Sequence, residues 1–191
     1  MVGVLALQGD FEKHKKVLDI IGVPNLFVKN EKDLFNTKAL IIPGGESSTL
    51  SLLMDKFFLR KSILKYSEQY SVFGTCAGMI MLSSTKSIKN KVKTLNIMDF
   101  SVSRNSWGPQ VFSFEEKIDL KNFNISSFNS IFIRAPKVSK IGKKIVRYDF
   151  FKDEIVILED GMHLACSFHP EIEGDIRIHQ YFLNKYYYGR S

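Results

Sequence analysis

The segment Ser71-Val-Phe-Gly-Thr-Cys-Ala-Gly-Met-Ile-Met-Leu82 carries the residue types and spacing best suited to chemistry in this chain. Cys76 stands between Gly74 and Gly78 in a Gly-x-Cys-x-Gly turn, with an apolar run on either side. This is the thiol counterpart of the nucleophile elbow, in which small neighbours permit a strained strand-to-helix turn that lifts the reactive atom above a sheet. The positive end of the following helix favours a thiolate over a thiol, so a single base suffices to make a covalent catalyst. That base is expected in Cys166-Ser-Phe-His169-Pro170-Glu171. Pro170 biases His169 toward an extended backbone, where residues i and i+2 share a side, so Glu171 is placed to orient the His169 ring. Cys76, His169 and Glu171 therefore read as nucleophile, base and orienter of a triad. Taken singly, each piece also reads as an ordinary turn. Their order in the chain, each after an apolar run, favours the joint reading.

The elements that must position these groups are legible on both sides of the elbow. Residues 2–7 form a continuous apolar run, the pattern of a strand buried on both faces. Asp10 is placed to cap a helix that runs to about Ile21, with Phe11, Leu18 and Ile21 inward, ended by Gly22 and Pro24. Strands are predicted over 25–29 and 38–42, the latter running into Pro43-Gly44-Gly45. A helix opens at Ser47, Ser48 or Thr49, helical pattern continues to about Gln69, and a strand over 71–74 delivers Cys76. Alternation of this kind predicts right-handed crossovers, a mostly parallel sheet and catalytic groups at the carboxyl ends of its strands. The second half reads as strands over 95–105, 110–114, 130–133, 145–148, 154–158 and 163–168, hence an antiparallel extension or edge sheet, closed by a helix over 173–187.

Composition narrows the class. With 191 residues, 45% of them apolar and 25% charged, the chain is expected to be one globular domain with a sizeable core. No apolar run approaches the ~18 residues of a membrane span. The start Met-Val-Gly-Val-Leu-Ala-Leu-Gln-Gly-Asp reads as a strand and not as a signal peptide, so a cytoplasmic location is the expectation. Two cysteines make no disulfide framework, and Cys166, after Leu164 and Ala165, reads as a buried, inert thiol. His14, His163, His169 and His179 lack metal-ligand spacing. The net charge of +7 comes from scattered lysines without a basic-aromatic platform, which reads as a solvated surface and not as a nucleic-acid site.

The elbow and the late His169-Pro170-Glu171 resemble the class I, or triad, glutamine amidotransferases. Four further segments narrow the resemblance: Leu5-Ala-Leu-Gln-Gly-Asp10, Pro43-Gly-Gly-Glu-Ser-Ser-Thr49, Arg104-Asn-Ser-Trp-Gly108 and Phe132-Ile-Arg-Ala-Pro136. Together they resemble the glutaminase subunits of pyridoxal 5'-phosphate synthases, over essentially the whole chain. The resemblance implies a flavodoxin-like three-layer α/β/α fold with a mostly parallel central sheet, in one domain over 1–191. It implies hydrolysis of L-glutamine to glutamate and ammonia through a γ-glutamyl thioester, with no metal or organic cofactor. The ammonia would pass to a barrel-shaped synthase subunit in a large hetero-oligomer. No nucleic acid or membrane partner is implied.

The same resemblance assigns substrate binding to Gly45, Glu46, Ser47, Arg104, Ile133 and Arg134. An arginine fork suits the substrate α-carboxylate, and Glu46 suits the α-ammonium. Oxyanion donors are expected from the Ala77 N–H and from the Gly44–Gly45 peptide. Gln8 is expected to face the synthase and to help set the oxyanion hole, so that activity is low in the free chain and raised by the partner. The chain departs from the family's usual residues at Ser48, Trp107 and Pro109. The alternatives are a triad glutaminase serving another ammonia-using synthase, a cysteine peptidase or glyoxalase-like member of the broad fold, and a non-catalytic interaction subunit. Ala77, where such peptidases place a histidine, argues against the second. The intact triad argues against the third.

Overall fold

The computed structural model describes residues 1–85, 92–103 and 113–189. In chain order, the first half alternates strand and helix: β1 (Val2–Leu5), α1 (Phe11–Ile21), β2 (Asn25–Val28), α2 (Glu31–Phe35), β3 (Ala39–Ile42), α3 (Ser47–Lys56), α4 (Leu59–Ser67), β4 (Ser71–Thr75) and α5 (Ala77–Leu82). The second half is mostly strand: β5 (Phe100–Ser103), β6 (Ser113–Leu120), β7 (Ile125–Ile133), β8 (Lys137–Ile141), β9 (Arg147–Phe151), β10 (Glu154–Glu159) and β11 (Leu164–Cys166), followed by α6 (Arg177–Phe182).

Seven strands form the central sheet in the order β2-β1-β3-β4-β11-β10-β9. The first five run parallel, while β10 and β9 continue the sheet antiparallel. Every residue of β1, β3 and β4 is buried, as continuous apolar runs in a doubly covered sheet require. The period of two then sorts each strand between two cores. Val4, Ile41, Phe73 and Cys166 pack with Leu18 of α1 and with Ile178 and Phe182 of α6. Leu40, Ile42, Val72 and Ala165 pack on the other side with Leu50 of α3, Ile63 of α4 and Met79 of α5. Three layers result, and the carboxyl ends of β1, β3, β4 and β11 open on one edge. Among the described residues no helix is long and apolar enough to cross a membrane.

Where pattern and structure differ, the cause is local. The short α2 lacks an apolar period but has a cap: the Asn30 side chain accepts from the Asp33 N–H at 3.0 Å. The strand β8 is too polar to read as one, yet its edge pairing with β5 holds it. The predicted strand over 95–105 begins only at Phe100, and part of it lies outside the described residues. The charged β6 runs to Leu120, beyond the predicted end, because pairing with β7 turns Ile118 and Leu120 inward. The pairs β5–β8 and β6–β7 form two-stranded sheets of their own.

The closing helix starts at Arg177, after Gly174 in the left-handed region at φ 73°, and from Leu183 to Tyr188 it is a π-helix. The wide turn has an evident role. Fully buried Glu159 accepts the Tyr181 hydroxyl at 2.8 Å and also bonds to Lys185 and Tyr186, with Arg147 Nε at 3.4 Å. Residues i, i+4 and i+5 converge on one carboxylate only where the helix is wider than an α-helix.

Candidate active site

Cys76 sits between the end of β4 and the first residue of α5 with φ 48° and ψ −101°, a strained backbone of the kind found at functional sites. Close packing enforces the turn. A Cβ on Gly78 would fall 2.0 Å from the Ile42 carbonyl oxygen, and one on Gly74 would fall 2.6 Å from the Gly78 backbone. The Cys76 N–H donates to Cys166 O at 2.8 Å, extending the β4–β11 ladder to the cysteine itself. Sγ lies 3.7 Å from Ile133 O. Ala77, first in α5, presents an N–H with no intrahelical acceptor, beside the sulfur where an oxyanion would form.

The segment after β11 brings His169 to the same edge. Its N–H donates to Ile131 O at 2.9 Å, which ties the loop to β7. Its Nδ1 lies 2.7 Å from Glu171 Oε1, and both residues are buried. Burial alone would lower the imidazole pKa, but the Cys76 sulfur and the Glu171 carboxylate outweigh it and push the pKa up to about 10. The ring is therefore held as an imidazolium beside the Cys76 sulfur. Cys166 is fully buried, and burial pushes its thiol pKa well above the usual range, as an inert structural thiol requires.

The loop after β3 forms the facing wall. A Cβ on Gly44 would fall 2.3 Å from His169 Cε1, so only glycine allows this approach. Gly45 has φ 142°, and its peptide is backed by Gln8, whose Oε1 accepts the Glu46 N–H at 3.1 Å. Glu46 receives the Ser48 and Thr49 hydroxyls at 2.7 and 3.0 Å, which anchors its carboxylate on the first turn of α3. The Ser47 hydroxyl is buried and has no partner among the described residues. The cleft is lined by Asp10, Gly45, Glu46, Ser47, Cys76, Ala77, Ile80, Ile133, Arg134 and His169. Arg134 is exposed there, with φ 44°. Thus the expected Gly45, Glu46, Ser47, Ile133 and Arg134 meet at the nucleophile, with Gln8 and Gly44 directly behind. Arg104, Trp107 and Pro109 lie outside the described residues.

Four polar residues escaped the sequence reading. Asp10 occupies the N-cap position of α1 as expected, but its side chain makes no capping bond. Its carboxylate instead lies 3.5 Å from Lys13 and 3.8 Å from His169 Nδ1. Asp10, His169 and Glu171 have ligand-type atoms within 4.8 Å of one another, the one such cluster among the described residues. Two of the three belong to the proposed triad, whose internal bond occupies His169 Nδ1. Behind Glu171 lie His14 and His179, both fully buried, and Thr75. His14 falls on the same helical stripe as Phe11, Leu18 and Ile21, the spacing that marks it as inward.

These histidines make stability pH-dependent. Burial lowers the pKa of His14 well below its usual value and that of His179 to about 3, with the neighbouring imidazoles adding to the effect at His14. Both are neutral in the fold but take a proton when unfolded below about pH 6.5. Their contribution is present above that pH and is lost as pH falls toward the folded pKa values. His169, with its pKa raised, contributes stability that is complete below pH 6.5 and is lost only as pH rises through about 10, so it leaves the acid window alone. Urea unfolding is expected to show a loss of up to about 4 kcal/mol between pH 6.5 and pH 5. An unchanged midpoint over that interval would refute the assignment of both rings as neutral.

The chain belongs to the SNO glutamine amidotransferase family, whose model matches residues 4–187. Within that class, it is 44% identical over 185 residues to pyridoxal 5'-phosphate synthase subunit PdxT of Thermosipho africanus, covering 96% of this chain and 97% of the relative. The subunit of the same name from Thermus thermophilus is 40% identical over 185 residues, covering 96% of each. A crystal structure of a glutamine amidotransferase superposes with a TM-score of 0.89 at 39% identity, over 96% of this chain and 97% of the other. A glutamine amidotransferase from Thermotoga maritima shares the fold at a TM-score of 0.60 and 16% identity, over 99% of this chain and 85% of that one.

Proposed function

We propose that this chain is a single-domain glutaminase, the ammonia-producing subunit of a pyridoxal 5'-phosphate synthase. The observation that carries the reading is the meeting of the Cys76 elbow with the His169–Glu171 pair in a chain of this family. Cys76 Sγ attacks the side-chain carboxamide carbon of L-glutamine. The thiol proton has passed to His169, and the developing oxyanion lies against the Ala77 N–H and the Gly44–Gly45 peptide. Collapse of the tetrahedral species breaks the C–N bond, and His169 gives its proton to the departing ammonia. Water, deprotonated by His169, then attacks the γ-glutamyl thioester, releasing glutamate and restoring the thiol. Glu171 holds the ring and its cation throughout.

The substrate's ends are read by the cleft. Arg134 grips the α-carboxylate, a role the family resemblance also gives to Arg104, and the buried Ser47 hydroxyl supplies a polar contact inside the cleft. Glu46 balances the α-ammonium. Gln8, packed under Gly45, links the oxyanion loop to the end of β1, the face we assign to a barrel-shaped synthase partner in a large assembly. The direct test is glutamate release from L-glutamine by the purified chain, alone and with added synthase subunit. Weak turnover that rises sharply with the partner is the expected result. Folded protein without activity in either condition would overturn the reading, and equal turnover in both would refute gating through Gln8.

A further inference from the structure

Glu171 stands between His169 in front and His14 behind. Its Oε1 faces His169, while Oε2 is buried and makes no hydrogen bond among the described residues. His14 Nε2, on α1, lies 3.4 Å from Oε2. That same nitrogen lies 3.2 Å from Thr75 Oγ1, next to the nucleophile in β4. The other ring nitrogen of His14, Nδ1, lies 2.9 Å from Nε2 of His179 on α6. The three residues His14, His179 and Glu171 share a buried space behind the triad, and Phe73 packs edge-on against both imidazoles.

Two tautomer arrangements are available to this neutral pair, and they differ in what they strand. In the first, His14 donates from Nδ1 to His179 Nε2. His179 then carries its proton on Nδ1, which is buried without a partner among the described residues, and a bare His14 Nε2 confronts the Glu171 carboxylate. The Thr75 hydroxyl can then donate to that nitrogen, but a stranded donor at His179 and a lone pair turned on the carboxylate remain the more expensive outcome. In the second, His179 donates from Nε2 to His14 Nδ1, and His14 directs its Nε2–H at the fork between Glu171 Oε2 and Thr75 Oγ1. Only the bare His179 Nδ1 then goes without a partner, and the carboxylate gains a donor.

We propose that His179 and His14 form a one-way chain of neutral imidazoles that delivers an N–H to the rear oxygen of Glu171, making His14 a positioning residue of the triad. The role rests on the glutaminase reading, since it matters through the orientation Glu171 imposes on His169. A carboxylate held at both oxygens keeps Oε1 aimed at His169 Nδ1 and remains ionised in a buried place. The arrangement also couples α1 and α6, which cover one face of the sheet, to the residue before Cys76.

Nitrogen-15 NMR of histidine-labelled protein tests the chain without reference to activity. His14 and His179 are expected as neutral rings protonated at Nε2, with Nδ1 bare. Either ring protonated at Nδ1 instead would overturn the proposal. Kinetics supply the second arm. His14→Phe should lower kcat by about ten- to a hundredfold with KM little changed, the loss expected for a hydrogen bond to a charged group. His14→Gln, whose amide nitrogen falls near the lost Nε2 position, should recover most of that loss. A His14→Phe enzyme with wild-type kcat, or a His14→Gln enzyme as impaired as His14→Phe, would refute positioning by the N–H. If His14→Phe fails to fold, His14→Gln and the spectra on the native protein still decide the matter. Inactive native protein with the expected spectra would count against the glutaminase reading and not against the imidazole chain.

Discussion

Replacing Cys76 by alanine is expected to abolish glutamine hydrolysis, with a fall in kcat of about 10⁴-fold or more. The sulfur forms the thioester on which the proposed mechanism depends, and no other thiol lines the cleft among the described residues. The structural cost should be small. The side chain is nearly buried at 5% exposure, and its sulfur makes only a long approach to Ile133 O, at 3.7 Å. The left-handed φ of 48° is imposed by the packing of Gly74 and Gly78 and persists with alanine. The variant should therefore fold and bind the synthase subunit while releasing no glutamate. Serine should fail as well, because a hydroxyl is a far weaker acid than a thiol and keeps its proton beside His169. Residual turnover within tenfold of the native enzyme would remove Cys76 from the mechanism. Loss of synthase binding would mean that the elbow is also part of the docking face.

Exchange of Glu171 for glutamine is the second large effect, a loss of about 10⁴-fold in kcat with KM nearly unchanged. The amide keeps the volume and the geometry but offers His169 Nδ1 a donor where the carboxylate accepted one at 2.7 Å. The ring responds by carrying its proton on Nε2, which then faces the sulfur as a donor and cannot take the thiol proton. The charge that holds the imidazolium also disappears, so the pKa of about 10 should drop toward that of a buried neutral histidine. Thermal unfolding and steady-state kinetics on Glu171→Gln separate the two possibilities: near-native stability with collapsed kcat supports the orienting role. An active Glu171→Gln enzyme would assign the residue to packing alone.

Much of the site was visible in the residues because its parts are local. A glycine-flanked cysteine after an apolar run needs only its immediate neighbours to become an elbow, and His169-Pro-Glu171 needs only two residues to pair its ring with a carboxylate. The loop from Gly44 to Ser47 is local in the same sense, since glycines and a helix start announce it. The parts that escaped are side chains whose meaning depends on partners far along the chain. His14 meets His179 at a separation of 165 residues. Asp10 reads as a helix cap and stands at the cap position, but its carboxylate turns toward His169. The edge strand β8, the extent of β6 and the π-helical end of the chain likewise depend on pairing or on the buried Glu159, and no period in their own residues encodes them.

The order of apolar runs and glycine turns was enough, by itself, to determine a parallel α/β sheet, its burial on both faces and the nucleophile at a strand's carboxyl end. Backbone sterics and side-chain period act over a few residues and so can be read along the chain. The tertiary structure alone decided which groups surround that nucleophile: that His169 lies beside Gly44 and Cys76, that Ile133 and Arg134 come from a separate hairpin to complete the cleft, and that two buried imidazoles stand behind Glu171. Those relations arise because the sheet places β1, β3, β4 and β11 side by side, so that distant segments end at one edge and line one cleft.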